Sequence, residues 1–446
     1  MLGTDLEPLR LPHVLALAPR LHPSLAAVLA LCAACGEGDR GEVPEGPIAG
    51  PVMEGTTDSA TDGSEVDLDV LRALPYAGYR EEASGEEQRS GVVLLDEERS
   101  HPGFNLYSAF RLASAFLIDA RGEVVRSWSD PDGYHWARCR LLPGGELLVV
   151  GSSQVEEGQR RIADAGRYLA KYAWSGALLW RRALPVHHDV EVLPDGRLAV
   201  LGYRYAEEPA VHAEAQLRDD VLLVLSADGE VQEEHSLYGL LSGNPEVLEL
   251  KEVKAQRRAR AFEVELFHSN SIEHMRHAHL EARDPLYAAG NVLVSMRHQD
   301  AVAIVDPEAG RAVWSWGRGK VLGPHSATVL ASGNVLIFDN GLGRGWSRSV
   351  EVDPVSEEVV WRYHAPRRRD FYTASRGSNQ RLANGNTLLT DSDNGNAFEV
   401  TPEGERVWEF WAPHHDAEGR RATLVQTERY DVAFVERILA EVGSDD

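Results

Sequence analysis

Two histidines occupy the same place in two copies of a repeated hairpin motif. His188 lies eight residues before Gly196, and His325 lies eight residues before Gly333. A neutral imidazole is a nitrogen nucleophile and a proton carrier near pH 7. If the two motifs are equivalent strands of one symmetric fold, both rings face the same site. His187 is the alternative to His188, because successive residues of a strand point to opposite sides, and the register favours His188.

Further polar residues lie between these two motifs. His268 and Asn270 stand at the start of one apolar run, and Arg297 follows the end of the next. The spacing to a hairpin glycine cannot be counted here, because residues 274–288 lengthen the hairpin. We expect three imidazoles, an amide and a guanidinium to converge from consecutive units of the fold.

The elements that must position these residues are the strands of a repeat. Six copies of an apolar run, a turn and a second run place equivalent residues at 118, 172, 224, 304, 352 and 400. A hairpin of the form Leu-x-x-Gly-x-Leu-Leu-Val alternates with them, as at 142–149, 193–200, 330–337 and 382–389. Two hairpins in each period make one four-stranded blade. The sequence therefore predicts an all-β fold, a six-bladed β-propeller of four-stranded blades around a channel.

Two segments depart from the period. The interval from 224 to 304 contains residues 236–266, for which we expect a helical insertion between blades. The tail from Thr423 to Val442 predicts a strand and a short amphipathic C-terminal helix that help to close the ring. We expect the propeller to cover residues 91–446.

Composition and the N-terminus limit the partners and the location. The chain has 446 residues and a formal net charge of −25, so we expect no nucleic-acid partner. Residues 1–35 are typical of an export signal, with an apolar stretch too short to span a bilayer. Ala33-Ala34-Cys35 favours a lipoprotein signal, with membrane attachment through a lipid on Cys35 and a periplasmic or membrane-anchored location. Ordinary signal cleavage is the alternative.

Residues 36–90 and the cysteines complete the domain organisation. The segment 36–90 is acidic and rich in Gly, Pro and Ser, so we expect a disordered tether. Cys139 is the single cysteine after residue 35, which leaves no disulfide and no cysteine-based zinc site in the body.

The motifs resemble those of the bacterial arylsulfate sulfotransferase family. In chain order they are His187-His188-Asp189, His268 to Ile272, Ser295 to Asp300, Gly323 to Ala327, Phe338 to Gly341, Ser347 to Val352, and Phe371-Tyr372. The resemblance extends over roughly residues 100–430. It implies a periplasmic six-bladed propeller that moves a sulfuryl group from a phenolic sulfate ester to a phenol acceptor. It also implies that no metal, no cofactor and no nucleotide sulfate donor takes part.

The resemblance also implies roles for individual residues. His325 matches the nucleophile that becomes a transient sulfohistidine. The groups that match the sulfuryl-binding residues are His188, His268, Asn270 and Arg297; Arg297 and a protonated His188 or His268 would donate to the sulfuryl oxygens. A hydroxyl contact falls on Thr373 or Ser375, and we favour Ser375. Tyr372 and Trp346 are candidates to stack on the aryl ring.

Two other functions stay open from the sequence. Three histidines on separate strands can also ligate zinc, as in a metal-dependent propeller lyase or hydrolase. Arg297 beside them argues against this, because a guanidinium repels a dication. The other alternative is a non-catalytic extracellular binding propeller. The natural donor and acceptor and the oligomeric state are open as well, a homodimer being one alternative.

The lipoprotein interpretation predicts a mature N-terminus at Cys35 in the membrane fraction. Cys35→Ser removes the thiol that would carry the lipid, so the variant should leave that fraction. N-terminal sequencing and cell fractionation measure both outcomes, with Cys32→Ser as the matched control. Equal membrane association of Cys35→Ser, or a mature N-terminus elsewhere, would contradict the prediction.

Overall fold

The computed structural model describes residues 79–80, 89–154, 166–258 and 261–442. The export signal predicted over 1–35 lies outside the described residues, as does most of the tether predicted over 36–90. The prediction of a disordered tether needs one correction, because Tyr79–Arg80 forms a strand that pairs antiparallel with Arg421–Ala422. The carbonyl oxygen of Arg89 also accepts a hydrogen bond from Arg421 Nη2 at 2.6 Å. Ordered contacts with the propeller therefore begin before residue 91.

The described strands form the six blades of a β-propeller. Two strands precede the blades, β1 (Tyr79–Arg80) and β2 (Gly91–Leu95). Blade 1 contains β3 (Phe104–Ala109), β4 (Ser114–Ile118) and β5 (Val124–Ser129). Blade 2 contains β6 (Gly133–Leu141), β7 (Leu147–Ser153), β8 (Arg167–Tyr172) and β9 (Leu178–Ala183). Blade 3 contains β10 (Val186–Val192), β11 (Leu198–Ala206), β12 (Gln216–Leu225) and β13 (Val231–Ser236), followed by β14 (Gln256–Arg258) and β15 (Ala261–Glu265).

The second half of the chain continues the same pattern. Blade 4 contains β16 (Ser269–His274), β17 (Val292–Met296), β18 (Ala301–Asp306) and β19 (Arg311–Trp316). Blade 5 contains β20 (His325–Val329), β21 (Val335–Asp339), β22 (Arg348–Val352) and β23 (Val359–Tyr363). Blade 6 contains β24 (Ser378–Arg381), β25 (Thr387–Asp391), β26 (Asn396–Val400) and β27 (Arg406–Trp411), and the last strands are β28 (Arg421–Ala422) and β29 (Leu424–Tyr430). The predicted six-bladed propeller is confirmed.

Three α-helices and three 3₁₀-helices accompany the strands in the described part of the chain. The α-helices are α1 (Leu237–Ser242), α2 (Ala278–Glu281) and α3 (Val432–Val442). The 3₁₀-helices are Pro285–Tyr287, Arg368–Asp370 and Ser392–Asn394. Among these residues, no helix is both long enough and apolar enough to cross a membrane. The short C-terminal helix is confirmed by α3.

The insertion at 236–266 is only partly helical. It begins with α1, whose N-cap Ser236 accepts a hydrogen bond from Gly239 N. It then forms the hairpin β14–β15, and β15 pairs parallel with β12, so both strands extend the sheet of blade 3. This hairpin was not predicted, because β14 is a strand of only three residues, all of them polar.

Both ends of the chain close the ring. The C-terminal β29 is the innermost strand of blade 1, in the order β29-β3-β4-β5. The N-terminal β2 pairs with β27 at the outer edge of blade 6. Strands from opposite ends of the chain therefore complete two neighbouring blades.

The hydrophobic core lies between the blades. In β7, Leu147 and Val149 pack toward blade 1, whereas Leu148 and Val150 pack toward blade 3. Alternating side chains of one strand thus bury both faces of the sheet. Six such clusters are present among the described residues, one between each pair of adjacent blades. Cys139 belongs to one of them and is free and buried.

Helix α3 should contribute to stability through its buried face. Ile438 is fully buried in the cluster between blades 1 and 2. Ile438→Ala should lower the free energy of unfolding by about 2–5 kcal/mol, since it leaves a cavity. Leu439→Ala on the same helix is the matched control, because Leu439 is 37% exposed, and should change stability by less than about 0.5 kcal/mol. Denaturant unfolding measures both variants, and equal effects would contradict the packing of α3 on the ring.

Candidate active site

The hairpins at the channel define equivalent positions in the blades. The innermost hairpins of blades 3, 4 and 5 close with the pairs Val192–Leu198, His274–Val292 and Val329–Val335. Counting four residues back from Val192, His274 and Val329 gives His188, Asn270 and His325. Asn270, rather than His268, therefore occupies the position equivalent to the two histidines. His268 lies two residues earlier, at the entrance to β16.

The backbone is irregular where these residues lie. The innermost ladders shift register between Val186 and Val190 and between His325 and Thr328. Near these shifts, φ is 58° at His188 and 47° at Ser326, and it is 48° at His268. A left-handed φ is uncommon for residues other than glycine and occurs often at functional sites. These register shifts change the direction of nearby side chains from the one that a regular strand would give them.

A cavity of about 180 Å³ extends along the channel from this level. Its wall includes His188, Asn270 and His325, together with Gln380 and Glu428. The described residues of its wall include no Phe, Tyr or Trp, so an aryl group there would contact aliphatic and polar side chains. Neither Trp346 nor Tyr372, the predicted stacking residues, is part of this wall. Trp346 instead packs against the guanidinium of Arg344, whose Cζ is 4.1 Å from the ring centroid.

The tautomer of His325 is fixed by Asn340. The amide nitrogen of Asn340 donates to the carbonyl oxygens of Thr373, at 2.9 Å, and Arg376, at 2.8 Å. Its Oδ1 must therefore face His325 Nδ1, 2.7 Å away, and accept the Nδ1 proton. The lone pair of His325 then resides on Nε2, which makes no hydrogen bond with any described residue. His325 thus presents a nitrogen nucleophile.

Electrostatics keep the site histidines neutral. Burial, Arg297 and His268 lower the pKa of His325 to about 3. Burial also lowers the pKa of His188 and His268. The expectation that His188 or His268 is protonated is therefore not met in the resting protein. Arg297, which is 2% exposed, remains as the permanent positive charge next to His325.

His268 belongs to a second cluster beside the channel. Its Nδ1 lies 2.8 Å from Glu265 Oε1, and its ring lies 5.1 Å from that of His188 and 4.9 Å from that of His298. Glu265, His268 and His298 are close enough to hold a metal ion. The donor set fits poorly, because Glu265 is also paired with Arg218, whose guanidinium would repel a dication. Arg297 Nη1, 3.4 Å from His298 Nε2, would further oppose a dication.

The late-blade hydroxyls lie behind the cavity wall. Ser375 Oγ donates to Asp393 Oδ1 at 2.7 Å, and Thr373 Oγ1 donates to the Ser375 carbonyl at 2.7 Å. Neither residue lines the cavity, whereas the next residue, Arg376, does. Arg376 is also left-handed, with φ of 59°.

Asn340 and Arg376 belong to the site but were not predicted from the sequence. Asn340 falls in one of the motifs, but only its contact with His325 across a loop reveals its role. Arg376 follows the motif Phe371-Tyr372 and precedes Gly377, whose positive φ of 91° marks a sharp change of chain direction. Gly377 was the one feature of the sequence that could have indicated the position of Arg376.

Comparison with the models of known protein families points to one family. The model of the arylsulfotransferase (ASST) family matches residues 169–413, more than half of the chain. No curated protein matches the sequence. The structure is similar to a protein of unknown function from Bacteroides caccae, with 17% identity, 69% of this chain and 93% of that chain covered, and a TM-score of 0.45.

Two further solved structures have similar scores. A periplasmic gluconolactonase of Pseudomonas aeruginosa has 12% identity, 74% of this chain and 99% of that chain covered, and a TM-score of 0.43. A streptogramin B lyase has 9% identity, 80% and 95% covered, and a TM-score of 0.42. At these scores they do not bear on substrate or activity.

The buried neutral histidines should make the fold sensitive to acid. An unfolded histidine has a pKa near 6.5, whereas the pKa of His325 in the folded protein is about 3. Between these values the unfolded chain binds more protons, so the free energy of unfolding falls as the pH decreases. From pH 7.5 to pH 5, His325→Asn should therefore lose about 2 kcal/mol less stability than the parent.

Denaturant unfolding at both pH values measures this difference. The exposed histidine variant His279→Asn is the control and should behave like the parent. If His325→Asn loses as much stability as the parent, His325 is not held neutral by its surroundings.

Proposed function

Because the chain belongs to the arylsulfotransferase (ASST) family, we propose that it transfers a sulfuryl group from a phenolic sulfate ester to a phenol through a sulfohistidine at His325. The donor in this proposal is an aryl sulfate rather than a nucleotide sulfate. The family and the propeller support an arylsulfotransferase in general. The finer assignment rests on the geometry around one histidine.

The observation that carries the proposal is the state of His325. Its Nδ1 proton is committed to Asn340, its Nε2 is buried and has no hydrogen-bond partner among the described residues, and the residue lines a cavity. A buried neutral imidazole that keeps an unpartnered ring nitrogen beside a cavity can act as a nucleophile. The neighbouring His298 differs, because its Nδ1 contacts the Glu265 carbonyl and its Nε2 lies 3.4 Å from Arg297 Nη1.

The first half-reaction would sulfate His325. The Nε2 lone pair forms a bond to sulfur, the bond from sulfur to the aryl oxygen breaks, and the electron pair leaves with the phenolate. The ring acquires positive charge, which the Nδ1–H···Oδ1 bond to Asn340 stabilises. Arg297 offsets the negative charge that gathers on the sulfuryl and phenolic oxygens.

The second half-reaction would reverse these changes with a new phenol. The oxygen of the acceptor attacks sulfur, the bond from sulfur to Nε2 breaks, and the electron pair returns to His325. The acceptor proton must move to a base in the cavity, and a neutral histidine suits that role. One sulfate ester and one phenol are thus exchanged for another pair.

The proposal extends to location and competing functions. The N-terminal residues support the proposal that the protein is exported and anchored by a lipid. The partners in the proposed reaction are a phenolic sulfate donor and a phenol acceptor. The cluster of Glu265, His268 and His298 is the feature that favours a metal-dependent enzyme. Arg218 and Arg297 around it oppose that alternative. Stoichiometric zinc on which turnover depends would support it.

A covalent intermediate should be observable on His325. Incubation with 4-nitrophenyl sulfate and no acceptor should release about one nitrophenol per active site and leave one sulfuryl group on the peptide containing Pro324-His325-Ser326. With acceptor present the kinetics should be ping-pong. Mass spectrometry and a stopped-flow burst measure these outcomes.

Variants separate nucleophilic attack from binding. His325→Asn keeps polarity but has no ring nitrogen, so it should abolish both half-reactions while its circular dichroism stays unchanged. His188→Asn should retain residual transfer, since its proposed role is to stabilise charge and move protons. Sequential kinetics without a modified histidine would establish direct transfer between bound donor and acceptor instead.

A further inference from the structure

We propose, on the basis of the proposed function, that His188 is the base that accepts the proton of the phenol and that His187 and Asp220 position it as a proton relay. The three groups form a chain that leads from the cavity into the protein. His188 lines the cavity, while His187 and Asp220 are 1% and 0% exposed. The sequence left His187 and His188 as alternatives; the relay uses both.

The hydrogen bonds define the direction of the chain. His187 Nε2 lies 3.2 Å from the Gly202 carbonyl oxygen and 3.4 Å from Asp220 Oδ1. Both partners are acceptors, so His187 carries its proton on Nε2 and its Nδ1 is an acceptor. His188 Nδ1 lies 2.5 Å from His187 Nδ1 and must donate to it. The lone pair of His188 is then on Nε2, which makes no hydrogen bond with the described residues.

Asp220 provides the negative charge at the buried end. Its Oδ2 accepts a hydrogen bond from Ser269 N at 2.6 Å, and its Oδ1 lies 3.5 Å from Arg218 Nη1. Burial raises the pKa of Asp220, but the hydrogen bond to His187 and the charges of His187 and Arg218 lower it overall. An ionised carboxylate behind His187 stabilises that ring when it becomes an imidazolium.

The other charged and titratable neighbours do not replace the relay. Around His188 these are His268 and His325 on the next two blades and Arg167 on β8, all of which disfavour a proton on His188. Arg167 also acts on His187. A proton on His188 is therefore costly unless it is shared with His187 and Asp220.

The proton balance of the relay is complete. As the acceptor oxygen bonds to sulfur, its proton moves to His188 Nε2, and the Nδ1 proton of His188 moves to His187 Nδ1. His187 then holds two protons beside the Asp220 carboxylate. The reverse movement delivers a proton to the phenolate that leaves in the next cycle. No oxidant, metal or further reactant is required.

Leaving-group chemistry allows the relay to be tested apart from the nucleophile. 4-Nitrophenolate departs without a proton, so the nitrophenol burst should not need the relay. Phenol has a pKa near that of tyrosine, about 10, and must lose its proton during attack. An acceptor whose electron-withdrawing substituents leave it ionised at the assay pH has no proton to lose.

The variant His187→Asn tests this difference. Its amide oxygen can still accept from His188 Nδ1, but it cannot carry a proton onward. We expect an unchanged burst, a 10- to 100-fold slower transfer to phenol, and an unchanged rate with the ionised acceptor. Asp220→Asn is the second variant, with the same expected pattern. His277→Gln, on the insertion of blade 4, is the histidine control and should match the parent in all three rates.

Each outcome decides the proposal. Selective slowing of phenol transfer in both relay variants supports it. Equal slowing of the burst and of both transfers would show a structural role only and overturn the relay, as would no slowing at all. A parent protein without a burst contradicts the proposed function, and the relay with it; a parent with a burst and no selectivity in the variants overturns the relay alone.

Discussion

The innermost strands of neighbouring blades are joined by side chains that accept hydrogen bonds from backbone N–H groups. Each inner strand is the edge of its sheet, so half of its backbone groups have no partner within the blade. Glu191 Oε2 accepts from His274 N at 2.8 Å, and Glu273 Oε2 accepts from Val329 N at 2.7 Å. Unsatisfied N–H groups in a buried channel would each cost about 1–3 kcal/mol. The channel therefore needs polar side chains at set positions, and those side chains fix each blade against the next.

The same bonds position the candidate site. Asp189, next to His188, accepts from Ile272 N at 3.1 Å, and Asp220 accepts from Ser269 N at 2.6 Å. These two bonds hold the backbone on either side of Asn270. Asp300 accepts from Gly323 N at 2.8 Å, two residues before His325. Groups on separate blades thus keep a fixed geometry through these hydrogen bonds.

This arrangement has an electrostatic cost. Burial raises the pKa of Glu273 to about 7, although Arg276 lowers it in part. A carboxyl group is retained there because its oxygen satisfies the backbone of the next blade. Burial has the opposite effect on the pKa of the site histidines, which it lowers, so these rings stay uncharged. The channel therefore combines carboxyl groups that support the fold with imidazoles that are available for chemistry.

The repeat made most of the fold predictable, because a hairpin glycine indicates a turn and alternating apolar residues indicate a strand. The same count to Gly196 and Gly333 gave His188 and His325 one register, and both lie four residues before the closing pair of their hairpin. The count failed at His268, since the lengthened hairpin and an irregular backbone shift the equivalent position to Asn270. Asn340, His187 and Asp220 were not predictable in their roles, because those depend on contacts between loops and blades. The hairpin β14–β15 was not predicted because β14 is short and wholly polar.

The closure of blade 1 has a consequence for how the chain folds. Its innermost strand, β29, is synthesised more than 300 residues after β3, its partner. The ring therefore has to pay a large loop-closure entropy, and such non-local pairing makes folding slow. Until the last strand arrives, β3 presents an open edge that other chains can pair with. Pairing of β29 with β3 thus removes this open edge and the aggregation risk that it carries.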